Sequence, residues 1–568
     1  MMKLIIAEKP SVARTIAEAL SPHVVNKKDW YEAGEWTVSF ALGHIINLSY
    51  PEDYNPKWKK WEKESLPIIP STLKYRILNK QRYSVLSKLI KQADVIVNAC
   101  DAGREGELIF RELITLTPPK KGAKLYRLWL TALTKEQILK AMQELKPLSN
   151  YDSLYKAAQS RAVADWLIGI NATRAYTLKA GDLYSIGRVQ TPTLYAVVKR
   201  EEERAKQTDK TYYEVVGTFH SETYQGVLQT QAMLETVKEA QAVAGSIAVG
   251  SEGVISSYQN KVVAVAPQLL YDLTTLQKDA NTQYGYTAQQ TLAAVQSLYE
   301  KGAVSYPRTD SRYLPSSLKA EATRIAHAIA DRSLSIGEIY HAVVNDAGVT
   351  DHYALIPTGK AVSFSSDKER KVYELIEKRF LSVFLGLSKV QRQSFDTVVN
   401  SKYVFHTERE ALLEPGWQIV YNKKAQKPLE DVSKEKHKLT ALDVVEKVKR
   451  KDPPLTDASL LRFMEHAGKT GLGTPATRAE IIEKLVEQKY LLRKGKTLLP
   501  TDKGIRLVKS LERLGATELL SPELTAYFEQ ALKEIEQGKK TDEAFLKEIE
   551  QYTKKVTARI LEANVVSA

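Results

Sequence analysis

The spacing of apolar positions changes from one stretch of the chain to the next. Leu4-Ile5-Ile6-Ala7 is an unbroken apolar run of the length a buried strand needs. After Pro10, Ser11 is a candidate cap for a helix whose apolar positions Val12, Ile16 and Leu20 lie four apart. Residues 94–100, Asp-Val-Ile-Val-Asn-Ala-Cys, predict a second buried strand. It runs into the polar turn Asp101-Ala102-Gly103-Arg104-Glu105-Gly106-Glu107, followed by a helix from about Leu108. Strand, turn and helix, twice over, predict an α/β domain across residues 1–150.

Residues 151–205 carry a helical pattern broken at Gly181-Asp182 and Gly187. Two blocks, near 212–260 and 395–422, are rich in Tyr, Val, Thr and Phe with partial alternation and predict strands. Residues 268–390 between them are mostly helical, so a helical region interrupts a β region. The Lys-rich stretch 423–440, with Pro428, reads as a linker. Helix returns from 455. There Leu532-Lys-Glu-Ile-Glu-Gln recurs as Leu546-Lys-Glu-Ile-Glu-Gln, two amphipathic faces and no functional repeat.

At 568 residues the chain exceeds what one core serves, so three to five domains are expected. The 43% hydrophobic and 26% charged content is that of a soluble globular protein. Against 68 acidic residues stand 82 Lys and Arg, a formal charge of +14, which attracts polyanions through a salt-sensitive field. The single cysteine, Cys100, excludes a disulfide framework and a Cys₄ zinc site within the chain and fits a reducing compartment. The first apolar run is too short for a signal peptide, and no apolar stretch has membrane length, so the expectation is a cytoplasmic protein without membrane contact.

Three groups of residues carry chemistry. Glu8-Lys9 and the acids Asp101, Glu105 and Glu107 follow the two predicted strands, where open α/β sheets bind ligands. Hard oxygen donors of this kind suit Mg²⁺; the alternative is ordinary solvated turn residues. Gly302-Ala-Val-Ser-Tyr306-Pro307-Arg308 follows a helix with a Thr287/Gln290 capping box and an apolar stripe of Leu292, Val295 and Leu298. Pro307 biases Tyr306 towards an extended backbone. A tyrosine two residues from an arginine suits attack on a phosphodiester, because the guanidinium favours the developing charge. The third group is Ser185-Ile186-Gly187-Arg188-Val189-Gln190-Thr191-Pro192. Here Arg188 and Gln190 would share one side of an extended segment along a phosphate backbone.

These segments resemble type IA DNA topoisomerases, the topoisomerase III branch most closely. Residues 3–9 with 101–107 resemble the Toprim signature, Ser185 to Leu194 the family's Ser-x-Gly-Arg-Val-Gln-Thr-Pro motif, and 302–311 its active-site tyrosine segment. Further matches are Arg161 to Arg174, His352 to Thr358 and Gly471 to Glu480, all in the family's order.

The resemblance implies a toroidal clamp of multidomain α/β plus α class. Its parts would be a Toprim domain (1–150), a helical base (151–210 and 446–568, the latter winged-helix-like), a β arch (211–265 and 391–445) and an inserted helical domain (266–390) carrying Tyr306. It implies ATP-independent cleavage of one DNA strand through a 5′-phosphotyrosine, passage of another strand, and resealing. This relaxes negative supercoils and decatenates. Tyr306 would be the nucleophile and Glu8 the acid for the leaving oxygen. Lys9, Arg308 and His352 would serve the scissile phosphate, and Glu8, Asp101 and Glu105 would hold Mg²⁺. Trp61, Trp166, Arg174, Ser185, Gly187, Arg188, Val189 and Gln190 would line a single-stranded DNA track; for Trp166 a core role stays open, as a structural role does for His44. The expected partner is single-stranded or negatively supercoiled DNA, bound by a monomer with a helicase as protein partner, nucleoid-associated in a bacterial cytoplasm. One departure is Gly103, where the family's Asp-x-Asp-x-Glu pattern has its middle acid. Two other classes stay open: another Toprim enzyme, a primase or nuclease, which would not need Tyr306, and a non-catalytic single-strand binder.

Overall fold

The computed structural model describes all residues except 131–132, 134, 220–223, 350–351, 435, 469–470 and 563–568. The amino-terminal unit is a seven-stranded sheet in the order Val24–Asn26, Trp30–Ala33, Trp36–Phe40, Lys3–Ala7, Val95–Ala99, Lys124–Arg127, Lys146–Pro147. The four central strands are parallel and the outer pairings antiparallel. The two apolar runs read from the sequence are direct neighbours, with Ile5 opposite Val97 and Ala7 opposite Ala99.

The helices that follow these two strands cover opposite faces. Val12, Ala13 and Ile16 of helix Pro10–Leu20 share a core with Ile5 and Ala7. Ile109, Phe110 and Leu113 of helix Arg104–Leu116 share another with Leu4 and Ile6. Adjacent parallel strands whose helices leave to opposite sides open a crevice at their carboxyl ends. Glu8 and Asp101 stand at that crevice.

Two boundaries differ from the sequence reading. The first helix begins at Pro10, the first-turn position where a missing N–H is harmless, and Ser11 does not cap it. The second begins at Arg104, so Glu105 and Glu107 belong to its first turn and not to a loop.

Helices Asp152–Ala180 and Gln190–Ala205 follow, the first ended by Gly181 at φ 71°. The two strand-rich blocks then close into one barrel. Its order is Lys210–Phe219, Tyr224–Leu228, Tyr403–Glu414, Ser388–Val399, Glu252–Val265, His437–Lys449, and the last strand pairs with the first. Phe219, Tyr224, Phe395 and Phe405 fill it with ring contacts near 5 Å. Gly217 and Gly226 permit this, since a Cβ at either would stand about 3.0 Å or less from Phe405.

The stretch 423–440 is not a free linker. Gln391 and Gln393 hold its backbone at Leu429 and Glu430, Val432 is buried, and residues from His437 onward are already strand. That strand runs to Lys449, past the boundary drawn at 445.

Helices Leu273–Tyr284 and Ala288–Glu300 lie between the barrel's halves, the latter with the expected Thr287/Gln290 capping box. After the barrel come Asp457–His466, Pro475–Glu487, a hairpin of Leu491–Lys494 with Thr497–Pro500, and Asp502–Arg513. The repeated Leu-Lys-Glu-Ile-Glu-Gln falls in helices Pro522–Glu536 and Asp542–Glu562, with Leu532, Ile535 and Ile549 buried. No described helix is long and apolar enough to cross a membrane.

Candidate active site and nucleic-acid groove

Tyr306 reaches the amino-terminal crevice. Its phenol donates to Asp101 Oδ2 at 2.7 Å, across 205 residues of sequence. The segment holding it is fixed by pairing with the stretch after His352. Ser305 N donates to Ile356 O, Ser305 Oγ to Ala354 O, and Thr358 Oγ1 to Gly302 O. That explains why two motifs 46 positions apart belong to one site. Gly302, at φ 73°, turns the chain out of the preceding helix.

His352 lies against the phenol ring, centroids 4.1 Å apart, and its Nε2 faces Ala102 O at 2.9 Å. Burial, and then the nearby Asp101 carboxylate, push the Tyr306 phenol well above its ordinary range, partly opposed by Arg308. The phenol is therefore neutral, with its proton directed at Asp101. The Arg308 guanidinium is partly buried among Tyr306, Asp101, Glu8 and Glu105, and its Nε has no hydrogen-bond partner among the described residues. A partly buried, incompletely paired guanidinium between a phenol and carboxylates can receive an anion.

Glu8 is buried, and burial followed by the Asp101 charge raises its carboxyl to about 7, against the lowering influence of Lys9, Arg308 and His44. Its backbone carbonyl accepts from Leu42 and Gly43, a loop with positive φ at both residues, which delivers His44 to the site. His44 Nε2 meets Glu105 Oε1 at 2.7 Å, and that contact is the main reason the Glu105 carboxyl is lowered.

Glu107 does not face the crevice. It is fully buried, receiving Asn98 Nδ2 at 2.9 Å and Arg111 Nε at 2.8 Å, with Arg127 Nε 3.3 Å away. Two residues apart on a helix point about 200° apart, so Glu105 and Glu107 cannot share one ion.

Among the described residues no group of three or more His, Cys, Asp or Glu stands ready to hold a metal. The donor set nonetheless fits one hard divalent ion. Glu8 and Asp101 are oxygen donors close enough for the Asp101 charge to raise the Glu8 carboxyl, an arrangement a cation relieves. Glu105 is adjacent but turned to His44.

The groove residues collect on the base beside the crevice. Trp61 is partly exposed, with the Arg174 guanidinium 4.9 Å over its ring; Arg174 is itself buried and donates to Trp58 O. Trp166 donates to Ser49 O and packs edge-on to Tyr54, so one side of it is structural and the other lines the groove. Ser185 is tied to Tyr490 through its backbone, and Gly187 N donates to Thr191 Oγ1.

The segment around Arg188 is not extended. Val189 caps helix Gln190–Ala205, and Gln190 turns its amide to Gln488 at 2.5 Å. Arg188 is buried, its Nε on Asp165 at 2.8 Å and its Nη1 near Glu529 at 3.5 Å. Arg188 and Gln190 are thus internally bonded and do not project along one edge. Tyr50, half-exposed beneath the Arg76 guanidinium at 3.8 Å, joins the same groove and escaped the sequence reading because no motif surrounds it.

Fold and site together define a Toprim-type α/β unit with a tyrosine brought to its acidic crevice. A Toprim domain is matched over residues 3–133 and a DNA topoisomerase domain over 149–547. DNA topoisomerase 3 of Bacillus thuringiensis (strain Al Hakam) is 36% identical over 98% of this chain and 81% of its own length. The DNA topoisomerase 3 of Shouchella clausii shows the same identity and coverage. Full-length topoisomerase I from Thermotoga maritima shares the fold, with TM-score 0.78 and 24% identity over 98% of this chain and 90% of that one. The chain belongs to the type IA DNA topoisomerases, in the topoisomerase III branch.

Proposed function

We propose that this enzyme cleaves one DNA strand with Tyr306, holds the 5′-phosphate as a phosphotyrosine, passes another strand and reseals without ATP. The observation that carries the reading is the 2.7 Å hydrogen bond from the phenol to Asp101 at the mouth of the sheet crevice. In cleavage the phenol oxygen attacks phosphorus and its proton passes to Asp101. The departing 3′-oxygen takes a proton from Glu8, whose raised carboxyl is partly protonated near neutrality. Arg308 pairs with the non-bridging oxygens, His352 braces the phenol ring, and Lys9 adds positive charge at the same phosphate. Resealing reverses each transfer, and the phosphotyrosine bond conserves the energy. Asp101 would hold one Mg²⁺, with Glu105 next to it and Glu8 joining as a ligand only when it has given up its proton. When bound, Mg²⁺ supplies charge that steadies the scissile phosphate.

Exposed Tyr50 and Trp61, with Lys59, Arg161 and Lys484 along the same groove, support single-stranded DNA as the ligand, since aromatic faces stack bases and cations track phosphates. The helix–helix–hairpin–helix unit at 457–513 reads as a winged helix forming one groove wall. The barrel reads as the arch of a toroidal clamp. The substrate is negatively supercoiled or catenated DNA with single-stranded character, handled by a monomer, alone or with a helicase, in the bacterial cytoplasm at the nucleoid.

The test is a single-stranded oligonucleotide incubated with enzyme and Mg²⁺, then denatured. A covalent adduct is expected from the parent and none from Tyr306→Phe. Cutting without an adduct would indicate a Toprim nuclease instead. Glu8→Gln should bind the oligonucleotide normally and cleave it slower by about 10²-fold or more.

A further inference from the structure

Glu529, on helix Pro522–Glu536, touches both functional loci at once. Its Oε2 receives Arg104 Nη1 at 3.0 Å, and its Oε1 stands 3.5 Å from Arg188 Nη1. Arg104 opens the helix that carries Glu105 and directly follows the turn bearing Asp101. Arg188 lines the groove and, through its other edge, fixes Asp165.

The two arginines are 425 and 341 residues away in sequence, and the cluster is largely buried. The acidic turn is tightly packed against the start of this helix. Gly106 packs so closely beneath it that a Cβ there would stand 2.1 Å from Asp101 O. Arg104 is gripped by two carboxylates of the same helix, Glu529 at 3.0 Å and Glu536 at 2.6 Å, at the start of the helix that follows Asp101. The same carboxylate cancels positive charge from Arg104, Arg161 and Arg188 where the groove meets the crevice.

We infer that Glu529 is a positioning residue that couples the DNA groove to the cleavage centre. It holds Arg104, and so Asp101, in register with Arg188, and it does so at the expense of DNA affinity. The inference rests on cleavage at Tyr306 for its kinetic half only.

The experiment uses the full chain with Mg²⁺. It measures anisotropy of a labelled single-stranded oligonucleotide over a salt series, and the rate of adduct formation with the oligonucleotide saturated by enzyme. Glu529→Gln keeps the shape and removes the charge. It should bind about three- to tenfold tighter at low salt, with a steeper salt dependence, and form adduct at least about tenfold slower once bound. A structural residue alone would not tighten binding. Affinity and bound-state rate within about twofold of the parent would overturn the inference, as would tighter binding at an unchanged rate.

Should Glu529→Gln not fold, Arg104→Lys keeps the charge and loses the forked geometry. It should slow adduct formation without raising affinity, and a parental rate would count against the coupling. If Tyr306→Phe still forms adduct, the nucleophile assignment fails while the affinity result stands by itself.

Discussion

At the scale of single residues, the site depends on carboxylates in unequal surroundings. Glu112 is the one whose titration can be followed without touching the reacting groups. It is buried, and burial raises its carboxyl to about 7; His44 opposes this and Glu105 adds to it. Its folded value therefore lies above its unfolded value near 4.5. Between those two values the folded state binds more protons than the unfolded state, so stability falls as pH rises through the window and the penalty is complete above 7. A shift of that size corresponds to about 3 kcal/mol at most. Glu112→Gln should raise the urea midpoint at pH 8 by an amount equivalent to about 1–3 kcal/mol and leave it nearly unchanged at pH 4.5. Equal gains at both values would show that packing, not ionisation, sets the cost.

At the scale of elements, the strand–turn–helix unit at 95–116 decides how many acids the crevice can offer. Gly103 sits at φ 148° and ψ 179°, a region that is essentially glycine-only. Restoring the family's acid there works against the backbone. Gly103→Asp should cost about 1–3 kcal/mol and should not tighten Mg²⁺ binding measured calorimetrically. A tenfold gain in affinity would mean that the turn re-forms around a third ligand. Gly106→Ala should be harsher on activity, because the added Cβ meets the Asp101 carbonyl and displaces the carboxylate partner of Tyr306. Loss of adduct with unchanged far-ultraviolet circular dichroism is the expected result.

The same unit shows what the sequence could and could not disclose. Apolar runs disclosed both strands, and the motif order singled out Tyr306, Glu8 and Asp101, which the fold gathers at one crevice. Reading the helix as starting at Leu108 hid the fact that Glu105 and Glu107 face opposite ways. The buried pairing of Arg188 was hidden as well. Its partner Glu529 lies 341 residues downstream in a plain amphipathic helix, and periodicity carries no information about such distant electrostatic partners.

At the scale of the molecule, the groups proposed to react come from two bodies joined through a long path. Glu8 and Asp101 ride on the amino-terminal sheet. Tyr306 rides on the helical insert, which enters and leaves through the barrel strands Glu252–Val265 and Ser388–Val399. Besides the Tyr306 and His352 contacts, a cleft separates the two bodies, lined by Trp129 and Lys146 on one side and Ser317 and Tyr353 on the other. With each body holding one end of a broken strand, parting at this seam would open a passage, and the twelve-residue or longer barrel strands give the insert its lever. Because the only native cysteine, Cys100, is buried, a pair at Lys146 and Ser317 can be bridged selectively by a short bifunctional reagent. The bridged enzyme should form the oligonucleotide adduct at the parental level and fail to relax a negatively supercoiled plasmid, with relaxation returning when a reducible bridge is cut. Undiminished relaxation by the bridged enzyme would place the gate elsewhere, since a strand cannot pass a seam that is covalently shut.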